Sequence, residues 1–462
     1  MTTPARSLEF DPAQGAVSTT LRGPQMRDPG TYQMNRPYLS RFVSLGFIVL
    51  EFSAVHVLRF ADSVERVTDL AVEKGGILSS LAVFKDGIFF TTYDGPDSIA
   101  LWQYDGERAM VVKSGFRDSW ERGSVQRAEM PALYSSIAQR ICATEDQLYF
   151  TADDGTHGQE LWKYDGHRAQ IVSDVCEGPS HSNPNQLTPC NEKIYFVANI
   201  VRDGWISPTV CQLETDKVKR FAPDESIKWN LDVRRMTAFE GAVYFWAYHD
   251  EYGTELWKCD GKRVEMVENY CPDDRGNLPT ALFVFDSGLY LATSGPNHCA
   301  DLARFRDGKI APVSDLGKEG LSCPMPRVIG VLNGKLYFVA DISHRKAPRF
   351  TSSAFQETTE ICEFDGNTVH RCVVVDTELR IPRDRFCSVG AASHGNLYFG
   401  LGMHEGDGEL WRTDGFKAEQ LADIWAGEQG SQPDNFVTLN DKLYFLATDE
   451  KHGRQLWRIT SE

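Results

Sequence analysis

The sequence predicts an all-β protein, a β-propeller of eight four-stranded blades, and two observations carry this prediction. A pair of strands centred on aromatic residues recurs along most of the 462 residues, and Asn-Gly or Asp-Gly dipeptides separate many of the strands. A four-stranded unit that repeats about every 40–50 residues is the pattern of a propeller blade. Because such a blade can bury its faces only against its neighbours, we expect the repeats to close into a ring.

The repeat is regular enough to be counted. The first strand of the pair has its centre at Phe89, Tyr149, Tyr195, Tyr244, Tyr290, Tyr337, Tyr398 or Tyr444, and the second at Trp102, Trp162, Cys211, Trp257, Ala303, Cys362, Trp411 or Trp457. The two centres are 13 residues apart in six of the eight copies, and 33 residues lead to the next copy in four of the seven gaps. The basic period is therefore 46 residues, as from Tyr149 to Tyr195.

Four strands fit within one period, and short turns join them. The last copy supplies the first three at Asn435–Leu439, Lys442–Ala447 and Arg454–Ile459, and the preceding copy shows the fourth at Ala418–Ala422. Strands one and two are joined by dipeptides such as Asp86-Gly87, Glu240-Gly241, Asn333-Gly334 and Asn440-Asp441. Strands three and four are joined by Asp-Gly at 105–106, 165–166, 260–261, 307–308, 365–366 and 414–415. Asn-Gly and Asp-Gly favour the type I′ turn of a tight hairpin.

The two ends of the repeat array complement each other. The last copy stops after its third strand, near Ile459, whereas Glu65–Leu70 looks like a fourth strand without a blade of its own. We therefore expect this N-terminal strand to pair with the C-terminal blade and close the ring. Apolar strands at 47–52 and 55–60 either thicken that blade or are the relic of a ninth copy, so seven or nine blades stay open as alternatives to eight.

The region before the repeats differs in composition. Residues 1–40 are rich in Pro, Gly and Arg and predict a flexible arm, or a docking arm for a partner, which leaves residues 41–462 as a single propeller domain. Phe42 to Phe60 is the most apolar stretch, but Gly46, Glu51 and His56 interrupt it, so no membrane span is predicted. No apolar leader follows Met1, and we expect a cytoplasmic protein.

Charge and cysteine content narrow the classes of function. The net charge of −17 argues against a nucleic-acid partner, because phosphate binding needs clustered Lys and Arg. The 11 cysteines show no CxxC spacing, and Cys211 and Cys362 occupy the position that holds Trp in other copies. We therefore expect buried free thiols rather than disulfides.

The two faces of the predicted propeller differ in their loops. Turns one–two and three–four are short and share one face, whereas the two–three loops and the connections between blades share the other face and carry all the length variation. Binding sites favour variable loops on a rigid scaffold. The candidate residues on this loop-rich face are therefore His157, His249, His298, His344, Arg345, His404 and His452, with Trp120 and Arg122 in the long connection after Trp102.

The histidines of the two–three loops allow two interpretations. With carboxylates such as Asp154 and Asp449 nearby, they would suit a divalent metal, either Ca²⁺ or a transition metal, near the mouth of the channel. Solvated turns also collect His, Asp and Gly without any ligand. No cofactor is therefore certain. The recurrent acids Glu160, Glu255, Glu360 and Glu409 are interpreted as structural, each accepting hydrogen bonds from the next loop, because catalysis needs one asymmetric constellation.

The segments Glu160–Gly166, Glu255–Gly261 and Glu409–Gly415 resemble the ELWxxDGT, hyalin-like repeats of bacterial proteins. The resemblance covers roughly residues 80–460 and implies a propeller-like array, commonly in surface or secreted proteins, without shared catalytic residues. The copies here depart from the family pattern, since His167, Lys262 and Phe416 replace the final Thr.

Three functions follow as hypotheses. The first is a binding scaffold that presents a loop-rich acidic face to a protein or small-molecule partner. The second is a propeller enzyme of lyase or hydrolase type, with a His and carboxylate site, metal-assisted or not, at the channel mouth. The third is a surface or matrix protein. Neither the oligomeric state nor the partner is specified by the sequence.

Overall fold

The computed structural model describes residues 62–70, 76–77, 79–93, 98–117, 140–202, 205–221, 229–270, 281–294, 300–313, 326–345, 355–376, 387–402, 407–427 and 429–461. The described part of the chain forms eight four-stranded antiparallel sheets, and the prediction of an eight-bladed propeller is confirmed. The predicted arm at 1–40 and the predicted strands between 47 and 60 lie outside the described residues. Within the described residues, no helix is long and apolar enough to cross a membrane.

The strands follow the chain in blade order. The first four blades are β2 (Ala82–Phe84), β3 (Gly87–Tyr93), β4 (Ser98–Tyr104), β5 (Ala109–Arg117); β6 (Ile141–Ala143), β7 (Leu148–Asp153), β8 (Gln159–Tyr164), β9 (Ala169–Ser173); β10 (Asn185–Cys190), β11 (Lys193–Arg202), β12 (Trp205–Glu214), β13 (Lys217–Phe221); and β14 (Trp229–Phe239), β15 (Ala242–His249), β16 (Gly253–Cys259), β17 (Val264–Glu268).

The remaining blades complete the ring. They are β18 (Ala281–Phe285), β19 (Gly288–Ser294), β20 (Ala300–Arg306), β21 (Lys309–Pro312); β22 (Arg327–Leu332), β23 (Lys335–Arg345), β24 (Phe355–Phe364), β25 (Val369–Asp376); β26 (Ala391–Ser393), β27 (Asn396–Leu401), β28 (Glu409–Thr413), β29 (Ala418–Ala422); and β30 (Asp434–Leu439), β31 (Lys442–Asp449), β32 (Gly453–Ser461), β1 (Asp62–Arg66).

The ring is closed as predicted, by an N-terminal strand on the C-terminal blade. β1 pairs antiparallel with β32 from Asp62 opposite Ser461 to Arg66 opposite Trp457. The predicted bounds, Glu65–Leu70, are wrong, because the strand is Asp62–Arg66. Val67–Leu70 already belongs to the connection toward the first blade. The connection stays bonded to β32, but partly through side chains: Val67 N–H donates to the Leu456 carbonyl, and Thr68 Oγ1 and the N–H of Leu70 donate to Gln455 Oε1.

The core lies between blades, which explains why the aromatic residues repeat. One apolar cluster joins Phe84 and Phe89 of the first blade to Phe150 and Trp162 of the second. Another joins the first blade to the last, with Tyr104 and Tyr444 in edge contact at 5.7 Å between ring centroids. The described cysteines are free, and those at 142, 176, 190, 211, 259 and 362 are buried, as predicted.

The turns between strands one and two confirm most of the predicted geometry. Both central residues have positive φ at Glu240-Gly241, Asn333-Gly334 and Asn440-Asp441, as a type I′ turn requires. In the first blade the central pair is Lys85-Asp86 rather than Asp86-Gly87, because Phe84 pairs directly with Gly87.

The turns between strands three and four contradict the type I′ prediction at five of the six Asp-Gly sites. Only Asp307-Gly308 has positive φ at both residues, whereas at 105, 165, 260, 365 and 414 the glycine alone does. At these sites the Asp side chain accepts two backbone N–H groups, as Asp165 Oδ1 does from His167 and Arg168. The side chain therefore replaces part of the turn's backbone bonding, an Asx turn that a dipeptide rule does not distinguish.

The closing strand is held in the ring by side-chain hydrogen bonds as well as by its backbone pairing with β32. Arg412 of the neighbouring blade donates to the carboxylate of Asp62, and Tyr398 Oη donates to Asp62 Oδ2 at 2.6 Å. At the other end of the connection, the buried amide of Gln455 accepts from Thr68 Oγ1 at 2.8 Å and donates to the carbonyl of His452 at 2.8 Å and of Leu70 at 3.3 Å.

We expect Gln455→Glu to destabilise the protein by about 1–3 kcal/mol at neutral pH, the cost of leaving buried polar groups without donors. A carboxylate cannot donate to the carbonyls of Leu70 and His452, so the closing connection loses two bonds. The loss should shrink below about pH 5, where the new carboxyl gains a proton that it can donate. Urea denaturation across pH measures it, with the exposed Gln170→Glu as the control; equal midpoints for the two variants would contradict the assignment.

Candidate functional site

The candidate site is the loop-rich face, which holds the loops between strands two and three and the connections between blades. Three of its two–three loops are described in full, those of the second, fourth and last blades, and they occupy equivalent positions around the ring. They contain the predicted residues His157, His249 and His452.

In the second blade, Asp154 organises the loop. Its Oδ1 accepts the backbone N–H groups of Thr156 at 2.8 Å and His157 at 2.9 Å, and its Oδ2 lies 2.8 Å from His157 Nδ1. Partial burial opposes ionisation of Asp154, but the bonds from His157 outweigh it and hold the pKa of the carboxyl below its usual value. The hydrogen bond to Asp154 raises the pKa of His157 in turn. The imidazole is therefore part of the loop's framework.

The last blade repeats this arrangement and adds a cation. Asp449 Oδ1 accepts from the backbone N–H of Lys451 at 2.8 Å and lies 2.9 Å from His452 Nδ1. The other ring nitrogen, Nε2, lies 3.2 Å from Arg66 Nη2, and Arg66 also pairs with Asp449 at 3.5 Å and with Asp69 at 2.9 Å. His452 thus joins its own loop to the ring closure: Nδ1 contacts Asp449 of β31, and Nε2 contacts Arg66, which ends the closing strand β1.

The fourth blade has a different pair at the same two positions. His249 stands where the others have Asp, and Tyr252 stands where they have His; the two rings stack with centroids 4.8 Å apart. His249 Nδ1 accepts from the backbone N–H of Glu251 at 3.1 Å, and the side chain is buried. Here too the imidazole stabilises its own loop.

Two other loops of this face are projecting hairpins rather than irregular loops. His344 and Arg345 were predicted in an inserted loop, and this is wrong: they are the last residues of β23 and pair with Gln356 and Phe355 of β24. The hairpin continues four residue pairs beyond the level where the second-blade hairpin ends, about 13 Å at 3.3 Å per residue. In the third blade, β11 and β12 extend similarly to the pair of Arg202 with Trp205. In the third blade the extension is built from β-branched and aromatic residues, which favour strands: Ile200, Val201, Trp205 and Ile206.

The remaining predicted residues cannot be placed in this geometry. His298, His404, Trp120 and Arg122 lie outside the described residues, and only the backbone of His344 and Arg345 is described. In the described part of the chain, no group of three or more His, Cys, Asp or Glu side chains is arranged to hold a metal ion. The divalent-metal site therefore stays a prediction.

The recurrent acids are confirmed as structural residues in the two best-defined cases. Glu160 accepts four hydrogen bonds from the connection to the next blade, from the N–H groups of Val175, Cys176 and Ser182 and from Ser182 Oγ, at 2.6–3.3 Å. Glu409 does the same with the N–H groups of Ile424, Trp425 and Ser431 and with Ser431 Oγ, at 2.5–3.4 Å. We call this arrangement the carboxylate clamp.

The clamp varies around the ring. Glu255 accepts from the N–H of Tyr270 at 3.1 Å, and Glu360 pairs with Arg371 at 3.5 Å and accepts from Thr358 Oγ1 at 2.7 Å. Gln455 takes the same position in the last blade, where the connection belongs to the N-terminal segment. Glu160, Glu255 and Glu409 thus fix where a connection leaves the outer strand, at the base of the loop-rich face, whereas Thr358 and Arg371 bond Glu360 to its own blade.

Sequence reasoning missed a buried ion pair at the same level of the last blade. Arg454, at the start of β32, reaches across β31 to Asp434, at the start of the innermost strand β30. Burial raises the pKa of Asp434, although the guanidinium of Arg454 opposes this. The repeat pattern does not predict this ion pair, because the second blade has Gln159 at the position of Arg454.

Burial raises the pKa of Glu160 to about 7, although the four hydrogen bonds oppose the shift. Since the pKa in the unfolded chain is about 4.5, the folded state binds the proton more tightly. The stability that this group contributes is therefore fully present below about pH 4.5 and is lost as pH rises through about 7.

We expect Glu160→Gln to leave the free energy of unfolding at pH 5 within about 1 kcal/mol of the wild type, because the protonated carboxyl and the amide both turn one donor toward the backbone N–H groups. The variant should also show a flatter decline of stability between pH 5 and pH 8 than the wild type. Urea denaturation at each pH measures both effects, and Glu107→Gln, an exposed turn residue, is the control. An unchanged pH profile would count against the clamp's titration.

Comparison with known proteins gives likenesses of fold. No protein-family model matches the sequence, and no curated protein matches it. Among solved structures, a puromycin hydrolase is 12% identical with a TM-score of 0.43, over 81% of this chain and 59% of its own. A puromycin-hydrolyzing peptidase of Mycobacterium tuberculosis is 11% identical with a TM-score of 0.44, over 84% and 61%. The β-propeller domain of the Trilobed protease from Pyrococcus furiosus is 12% identical with a TM-score of 0.38, over 84% and 94%. The chain thus spans about three fifths of the two hydrolytic enzymes, and the likeness concerns the propeller alone.

Proposed function

We propose that this protein is an interaction scaffold whose loop-rich face binds a protein partner. The observation that carries the proposal is the difference between the two faces of one rigid ring. On one face the described strands are joined by turns of a few residues, whereas on the other two hairpins project, ending at Arg202–Trp205 and Arg345–Phe355. Projecting hairpins on a rigid disc offer side chains and strand edges to a partner.

The histidines support the scaffold rather than a catalytic site. In each fully described loop the imidazole is bonded to its own loop: His157 to Asp154, His452 to Asp449 and Arg66, and His249 to Glu251. Such imidazoles hold the loops in one conformation, which lowers the entropy cost of binding.

Charge favours a partner with a basic surface. The described loops of this face expose six carboxylates against one exposed lysine, Lys451; the carboxylates are Asp69, Glu177, Asp250, Glu251, Asp423 and Glu450. Complementary charge accelerates association and makes it sensitive to salt. We therefore expect the partner to dissociate more readily at high ionic strength.

The test shortens the projecting hairpins without disturbing the blades. Replacing residues 343–357 by Asn-Gly should close β23 and β24 at the pair of Ile342 with Thr358, and replacing 201–206 should close β11 and β12 at Ile200 with Ser207. We expect the doubly shortened protein to unfold at the same urea concentration as the wild type but to lose its partner in affinity capture from the native cell.

Capture quantified by mass spectrometry distinguishes the alternatives. Equal recovery of a stoichiometric protein by the wild type and the doubly shortened protein would contradict the proposal. Recovery of a small molecule or metal ion by both would favour the second hypothesis, an enzyme of lyase or hydrolase type that uses His and carboxylates at the channel mouth.

A further inference from the structure

The opposite face holds a second feature, at the point where the central channel opens among the turns between strands one and two. The innermost strands of neighbouring blades lie side by side around this channel, as β10, β14 and β18 do. We call the opening the turn-side mouth, formed by the last residues of the innermost strands and by the one–two turns that follow them.

The wall of the turn-side mouth is apolar. The residue six positions before each aromatic centre is Val, Ala, Pro or Thr in every blade, and five of the eight are exposed although they lie in the innermost strands: Pro189, Val284, Val331, Ala392 and Thr438. Val331 is 41% exposed between the buried Gly330 and Leu332, and Val284 is 45% exposed between the half-buried Phe283 and the buried Phe285. Residues of an innermost strand that are exposed between buried neighbours face the channel.

Pro189 bears on which edge of its strand is unpaired. Proline has no N–H to donate, so within a sheet it is confined to an edge. It lies in β10, which pairs on one side with β11 only. The free side of β10 is therefore the channel side.

The rim of the mouth is acidic. Of the eight one–two turns, six carry carboxylates at their central positions, all of them exposed: Asp86, Glu145 with Asp146, Glu192, Glu240, Asp286 and Asp441. Lys85 is the lysine at those positions, and its Nζ donates to the carbonyl of Asp165 at 2.7 Å. Lys193, Lys335 and Lys442 directly follow three of the turns; Lys193 is paired with Glu214 at 3.2 Å, Lys335 is paired with Glu363 at 2.6 Å, and Lys442 is exposed. The rim therefore carries a concentrated negative field around a low-polarity opening, which attracts cations.

Turn geometry does not account for the glutamates. Positive φ favours Gly, Asn and Asp, and these residues fill several of the turns. Glu192 has φ of 60° and Glu240 has φ of 46°, a conformation in which Glu is disfavoured. Lys85, Ser287 and His394 also adopt positive φ in the corresponding turns, so the backbone conformation does not itself select a carboxylate.

We propose that the turn-side mouth is a docking site for a polypeptide segment that alternates basic and aliphatic side chains. The Lys or Arg groups pair with the carboxylates of the rim, and the aliphatic groups cover Val284, Val331 and their neighbours in the channel wall. The site is on the face opposite the projecting hairpins, so it is independent of the proposed scaffold partner.

The test uses three synthetic ten-residue peptides, of alternating Lys and Leu, Lys and Ser, and Glu and Leu, with fluorescence anisotropy on the full-length protein. The Lys–Leu peptide should bind at least about tenfold more tightly than either of the others, because only it meets both the rim and the wall. The double variant Glu192→Gln with Glu240→Gln should weaken its binding roughly five- to tenfold, which is the effect expected from losing two partly exposed ion pairs. Val331→Lys should weaken it further by placing a cation in the wall.

The control is Glu107→Gln with Glu177→Gln, which removes the same charge from an exposed three–four turn and from the loop-rich face. This variant should bind the Lys–Leu peptide as the wild type does. Equal weakening by the control, or equal binding of the Lys–Leu and Lys–Ser peptides, would overturn the proposal. So would a dimer in sedimentation that Val331→Lys dissociates, since the occupant would then be a second copy of the chain.

Discussion

Closure of the ring is the constraint on which the rest of the structure depends. Every blade buries its aromatic residues against the next, so an open ring would leave one face of the first blade and one of the last exposed. Pairing of β1 with β32, from Asp62 opposite Ser461 to Arg66 opposite Trp457, removes that exposure. The same segment then supplies Thr68 and Leu70 to Gln455 and Arg66 to His452. A loop of the loop-rich face is thus built partly from the residues that close the ring.

The sequence was sufficient for the fold because each repeat carries its own local signals. The aromatic centres at Tyr149 and Trp162 recur where neighbouring blades pack, and Asn333-Gly334 marks a hairpin whose φ values only such residues adopt readily. The role of Glu160 could also be inferred, because a residue repeated in several blades does a repeated structural job. These are properties of one repeat at a time, and local rules describe them well.

Features that depend on contacts between distant segments were beyond such rules. Asp165-Gly166 has the composition of a type I′ turn, yet the Asp side chain bonds to the backbone and changes the turn. Gln186, Arg235 and Asn435 adopt positive φ in bulges of the innermost strands that no dipeptide marks. His344 looked like a loop residue because its insertion is polar, but the insertion extends a hairpin. For the candidate site, the sequence located the loop-rich face and its histidines, but not that Asp154 and Asp449 bond to them.

The most direct test of this account compares two truncated chains, one that begins at Ala61 and one that begins at Val67 and so lacks β1. Amide hydrogen exchange in β32, read at Arg458 and Thr460, whose positions alternate with Leu456 on the β1 side of the strand, and urea denaturation report whether β1 closes the ring. We predict that the shorter chain loses protection at these amides and loses at least about 2 kcal/mol of unfolding free energy, the scale of a broken buried network. Equal protection and equal stability in the two chains would contradict it.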